Sequence, residues 1–220
     1  MTMSSTVKDV MTTHVAAVWK TASYKDMAFM LREQRVSAFP VIDDDHRVIG
    51  VVSGSDLLAK EALVSVTGHG LTGMLHHRDR AKASGLNAGD LMTSPAVTVG
   101  PDEPVSRAAQ LMYGNRVRRL PVVDADQKLV GIVTRTDVLT VYDRKDSEIR
   151  EEILQRHRGE PAAFVVTVAD GIVTIEGPPE TAVVGHDIIA DAQHVEGVVA
   201  VRDRLSYPPS ENRYGPGPLF

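Results

Sequence analysis

Residues 7–58 laid over residues 88–139 at a constant offset of 81 agree at 15 of 52 positions without a gap. A repeat of that length commits the chain to two copies of one structural unit before any single element is considered. The matched pairs include Asp9 with Asp90, Met11 with Met92, Pro40 with Pro121, Asp43 with Asp124, Gly50 with Gly131 and Asp56 with Asp137. Each copy reads in the same order. A short strand near Val15–Val18 or Ala96–Val99 leads to an amphipathic helix, which in the second copy carries Val105, Ala108, Ala109 and Met112 on one face. A strand Phe39–Ile42 or Leu120–Val123, an Asp-rich turn (Asp43–His46 or Asp124–Gln127) and a strand Val48–Ser53 or Leu129–Thr134 follow. Nearly continuous apolar strands of this kind are buried on both faces. A helix opening near Ser55 or Thr136 closes the unit, giving β-α-β-β-α and an α/β (α+β) fold class.

The segments DVMT, FPVIDDDHRVIGVVSGSD, DLMT and LPVVDADQKLVGIVTRTD resemble the tandem cystathionine-β-synthase (CBS) domain family over about residues 7–143. The resemblance implies two motifs, about 7–60 and 88–143, packed about a pseudo-two-fold axis that leaves two clefts. It also implies pairing of protomers into a homodimer. The intervening residues 61–86, with glycines at 68, 70 and 73, read as two helical pieces and a flexible elbow.

GVVSGSD (50–56) and GIVTRTD (131–137) place a hydroxyl at a strand end and a carboxylate three residues later in the first turn of a helix. An Asp acceptor can take hydrogen bonds from both hydroxyls of a ribose, while Ser53 or Thr134 and nearby helix amides suit a phosphate. The same spacing is ordinary helix capping, and the sequence leaves both roles open. The family resemblance implies an adenosine-containing nucleotide (AMP, ADP, ATP, NAD or S-adenosylmethionine). Ser53 and Asp56 would serve one cleft and Thr134 and Asp137 the other, backbone near Val15 and Ala96 would meet the base, and the loops before Pro40 and Pro121 would complete the walls. The second-copy site is favoured, because Arg135 follows Thr134 and Arg116, Arg118 and Arg119 stand near the cleft wall as phosphate partners, although a solvated surface would use the same arginines. The first copy has His14 where the second has Pro95, and Gly54 where it has Arg135. On this reading Asp137 matters more to binding than Asp56. Met11 and Met92 read as core.

Beyond Asp146 the character changes. Ser147 is placed to cap a helix carrying Ile149, Ile153 and Leu154, Asp170-Gly171 between Phe164–Val168 and Ile172–Glu176 signals a hairpin, and a helix near Thr181–His194 precedes a strand Val198–Arg202. The order α-β-β-α-β, with VADGIVTIEG and HVEGVVAVRDRL, resembles the BON domain family over 147–207, with Gly171, Gly177 and Gly197 as its glycines. Residues 208–220 read as a disordered Pro/Gly tail.

Composition excludes several functions. There is no cysteine, so no disulfide framework or thiolate site. Residues 1–146 carry 18 Lys+Arg against 17 Asp+Glu, whereas 147–220 carry 6 against 12, so the C-terminal part is acidic and nucleic acid is not the expected target. No GxSxG, Walker A or HExxH pattern is present, and the adjacent His76 and His77 make a poor metal pair. The chain therefore reads as a non-catalytic regulator in the cytoplasm, with no signal-peptide pattern at its first residues, acting on an unknown protein target. Two alternatives stand beside it: a BON-mediated adaptor for a phospholipid surface or envelope component, which the acidic charge disfavours, and a sensor of potassium or another ion.

Overall fold

The computed structural model describes residues 5–59, 85–159, 164–178 and 182–206, with side chains omitted at 182–185. Of the stretch 61–86 only Gly85 and Leu86 are among them; the two helical pieces expected there, His76 and His77, and the tail expected at 208–220 lie outside the described residues. The chain divides into two compact units, Ser5–Val138 and the part from Leu139 on.

In the first unit α1 (Val7–Val10), β1 (Val18–Trp19), α2 (Tyr24–Glu33), β2 (Ala38–Ile42), β3 (Val48–Ser53) and α3 (helical over 54–59) make the first copy. The second comprises α4 (Ala88–Leu91), α5 (Val105–Gly114), β4 (Arg119–Val123), β5 (Leu129–Thr134) and α6 (Arg135–Leu139). β2 pairs antiparallel with β3 and parallel with β1; β4 pairs antiparallel with β5, and Val99 bridges Val122 in parallel where β1 stands in the first copy. Every residue of β2 is buried, as its unbroken apolar run requires. The Asp-rich turns are fixed alike. Asp43 accepts from the Asp45 and Arg47 amides at 3.0 and 2.9 Å, and Asp124 from those of Asp126 and Lys128 at 2.9 Å. His46 and Gln127, related by the repeat, both hold φ at 64°.

The copies are not separate bodies. The opening segment of each completes the other: Thr12 pairs with Ile132 of β5, and Thr93 pairs with Val51 of β3, both antiparallel. Val7 is buried among Val99, Ala108, Met112, Leu120, Val122 and Val133 of the second copy, whereas Ala88 and Leu91 are buried among Val18, Met27, Phe39, Val41, Val52 and Leu57 of the first. Backbone bonds repeat the exchange, from Val7 N–H to Glu103 C=O at 2.8 Å and from Ala88 N–H to Ala22 C=O at 2.9 Å. Arg47 bridges Lys128, its own counterpart under the repeat, so the pseudo-two-fold passes there. The β-α-β-β-α reading of each copy has no place for these opening helices, Val7–Val10 and Ala88–Leu91, and hydrophobic periodicity says which face is buried but not against which copy.

Met11 and Met92 seal this exchange. Each packs on a glycine of the opposite copy, Met11 on Gly131 and Met92 on Gly50, where a Cβ would collide with the sulfur and come within 3.1 or 2.9 Å of Cγ.

From Leu139 a 3₁₀ turn (Thr140–Asp143), α7 (Asp146–Arg156), β6 (Val165–Ala169), β7 (Ile172–Gly177), α8 (Ala182–Gln193) and β8 (Ala200–Leu205) follow. β7 is central, antiparallel to β6 and parallel to β8. Ile149 and Ile153 of α7 are buried with Val166, Val173, Ile175, Ile188 and Ala192. Asp170 and Gly171 take φ of 52° and 72°, as a two-residue hairpin turn demands. Ser147 does not cap α7. The cap position is Lys145, and the neighbouring Asp146 carboxylate accepts the Asp170 and Gly171 amides at 2.9 Å each, so it secures the hairpin instead. Glu152, 8% exposed, accepts from Arg144 at 2.7 Å and Arg156 at 2.6 Å, and Arg156 also reaches Asp191. Burial pushes the Glu152 carboxyl up, but the two guanidiniums outweigh burial and hold it below the usual carboxylate range.

Two measurements check these contacts. Gly50→Ala and Gly131→Ala should each destabilise the Ser5–Val138 unit by about 1–3 kcal/mol in urea titration, and shortening the facing methionine should recover part of the loss. Because the folded value of Glu152 is depressed, its contribution is whole above the unfolded value of about 4.3 and is lost as pH falls through the folded one. Glu152→Gln should therefore weaken amide-exchange protection of β7 by about 2 kcal/mol at pH 7, the gap to wild type closing progressively below about pH 4.3.

Candidate functional site

A cleft of about 370 Å³ opens in the Ser5–Val138 unit, and both copies build it. The first copy supplies Ser37 and Ala38 where β2 begins, Val51 and Ser53 from the end of β3, and Ser55 and Asp56 from the first turn of α3. The second supplies Thr93, Pro95, Ala96 and Val97 from its opening segment, and Arg116–Arg119 leading into β4. The exchange causes this arrangement. Thr93 pairs with Val51, so the stretch that follows it is carried across the end of β3 rather than over its own sheet.

The Ser53 amide and hydroxyl both donate to Asp56 Oδ2, at 2.8 and 2.6 Å. Thr134 and Asp137 repeat the geometry at 2.8 Å for both bonds, and the Asp137 amide donates back to the Thr134 hydroxyl at 3.4 Å. The capping role weighed from the sequence is therefore real in both copies, and it holds each carboxylate at the mouth of a strand–helix turn.

The arginines lie elsewhere than expected. Arg116, Arg118 and Arg119 line the cleft that holds Asp56 and Ser53, together with Ala96. Arg119 donates to the Ser37 hydroxyl of the other copy. Burial, with the Arg118 charge added, pushes the Arg119 guanidinium below its ordinary value. Among the described residues none of these three arginines forms an ion pair. Arg116 and its counterpart Arg35 hold φ of 55° and 52°, the left-handed backbone that turns each chain into its strand. Arg135 instead reaches the Val117 carbonyl at 3.4 Å. Val15 is half-buried just ahead of β1. Pro40 and Pro121 are buried within β2 and β4, and the residues ahead of them, Ser37–Ala38 and Arg116–Arg119, supply the walls.

Sequence reasoning missed Ser37, Ser55 and Thr93. Asp9, Met11 and Thr12 recur as Asp90, Met92 and Thr93 in the exchanged segments, but nothing in one linear copy says that its opening serves the other. The cleft brings together apolar side chains (Ala38, Val51, Ala96 and Val117), guanidiniums and a carboxylate held in place by Ser53. No group of three His, Cys, Asp or Glu among the described residues converges on a metal position.

Fold and cleft together define a class, paired α/β modules exchanging their first helices around a ligand-sized cleft. The chain belongs to the CBS domain family, whose model matches residues 7–63 and 88–144. It is 40% identical over 124 residues to the chloroplastic CBS domain-containing protein CBSX1 of Arabidopsis thaliana, covering 50% of this chain and 51% of that protein. It is 36% identical over 148 residues to CBSX2 of the same plant, 61% of this chain against 62% of that one. The chain thus spans between half and two thirds of the length of these relatives. The crystal structure of CBSX2 in complex with AMP superposes with a TM-score of 0.52 at 36% identity, over 61% of this chain and 93% of that one. The CBS domain pair of protein MJ0100, solved with 5-methylthioadenosine and S-adenosyl-L-methionine, shares the fold at 22% identity and a TM-score of 0.50. Among the described residues no helix is long and apolar enough to cross a membrane.

The local role of the two carboxylates is checked without ligand. Asp56→Ala and Asp137→Ala should lower stability by similar amounts, about 1 kcal/mol each, in chemical denaturation; a large inequality would mean that one turn depends on its carboxylate for more than capping.

Proposed function

We propose that the Ser5–Val138 unit binds an adenosine nucleotide in the Asp56 cleft and that occupancy is read by a partner protein. The observation that carries this reading is the meeting, in one cleft, of a carboxylate fixed three residues after a strand-end hydroxyl, apolar lining at Ala96 and arginines that form no ion pair among the described residues. The CBSX2–AMP complex supports the choice of an adenosine ligand. Asp56 would accept from the ribose hydroxyls and the arginines would meet phosphate. This moves the favoured site from the second copy to the first, since the phosphate partners gather on that side. Pairing of two chains into a homodimer and a cytoplasmic setting belong to the same reading, as does a non-catalytic role.

Residues 147–207 we assign to a BON-type domain. The α-β-β-α-β order and the left-handed backbone at Gly171, Gly177 and Gly197, with φ of 72°, 132° and 88°, support that assignment.

Calorimetric titration with AMP should show binding that Asp56→Ala weakens at least tenfold, the value of a lost charge-assisted bond. 2′-Deoxy-AMP should bind wild type poorly yet lose little further affinity in the variant, as coupled partners do. Equal losses for the ribo and deoxy ligands would reduce Asp56 to its capping role.

A further inference from the structure

Among the described residues the Asp56 cleft is lined by three guanidiniums and one carboxylate. That carboxylate already receives two hydrogen bonds from Ser53. The excess positive charge is a property of this cleft rather than of the repeat: under the 81-residue offset Arg116, Arg118 and Arg119 correspond to Arg35, Ser37 and Ala38, so two of the three cations have no counterpart in the first copy. Arg118 and Arg119 are adjacent, and Arg119 is half-buried, spanning to the Ser37 hydroxyl rather than to an acid. Like charges held together repel one another, and with no ion pair to either arginine among the described residues burial raises that cost. An anion entering the cleft relieves it in proportion to its charge.

We propose that Arg118 and Arg119 are specificity-determining residues that select ligands carrying a diphosphate or longer chain over monophosphates and over cationic adenosyl compounds. The inference rests on the nucleotide reading of this same cleft and adds the charge class of the ligand.

Titration calorimetry on the intact chain with adenosine, AMP, ADP and S-adenosylmethionine, without divalent cations and at two salt concentrations, tests it. ADP should bind about tenfold tighter than AMP, S-adenosylmethionine more weakly than AMP, and the advantage of ADP should shrink as salt is raised. Arg118→Gln and Arg119→Gln should each bring the ADP-to-AMP ratio toward one, with Arg119→Lys retaining part of it; Arg118 is exposed, so its variant serves even if the Arg119 variant unfolds. Equal binding of AMP and ADP, or a ratio that survives both Gln variants, overturns the charge selection while leaving the nucleotide reading in place. No binding of any adenosine compound overturns both.

Discussion

Two backbone crossings, Thr12 with Ile132 and Thr93 with Val51, tie the tandem unit together. Neither copy has a complete core without the other's first helix: Val7 is fully buried in one cluster and Leu91 in the other. A unit of some fifty residues is marginal by its surface-to-volume ratio, and exchanging a short helix with a neighbour gives each core apolar surface it lacks. The glycines at 50 and 131 follow from the same demand. They are what allows Met92 and Met11 to lie flat on the facing strand, and a side chain there would push the crossing segment off its hydrogen bonds.

The cleft is a by-product of that crossing. Once Thr93 is fixed on β3, residues 95–97 line the same cleft as Ser55 and Asp56 of the first turn of α3. The same geometry makes a cleft from two non-equivalent walls, one per copy. Divergence between the copies therefore shows up as chemistry: three arginines line the cleft that holds Asp56 because the second copy's entry into β4 is basic where the first copy's entry into β2 has one arginine, a serine and an alanine.

Much of this was legible in the sequence, for identifiable reasons. The strands Val48–Ser53 and Leu129–Thr134 have the bounds their apolar runs imply, bracketed by an Asp-rich turn on one side and a hydroxyl–carboxylate pair on the other. The hairpin at Asp170-Gly171 follows from a dipeptide that tolerates left-handed backbone at both positions. What could not be read was pairing between distant segments. Val7 has the same apolar character whichever copy buries it, so the exchange and the grouping of Arg116, Arg118 and Arg119 with Asp56 were invisible to a linear comparison. Ser147 shows a second limit: a good capping residue lies one position beyond the carboxylate that tertiary structure needed for the hairpin, and the hairpin took precedence.

The doubly bonded carboxylate reconciles the two roles that its spacing suggested. Asp56 is held by the Ser53 amide and hydroxyl through one oxygen, so its orientation is set by folding before any ligand arrives. A flexible acid would lose side-chain freedom on meeting a ribose; one already fixed loses little, and more of the interaction appears as affinity. Capping is then the means of preorganisation rather than its rival. The same holds in the second copy, where Thr134 and Asp137 reproduce the bonds. Two carboxylates of such similar local geometry cannot by themselves set the two copies apart, and the arginines that line the Asp56 cleft do.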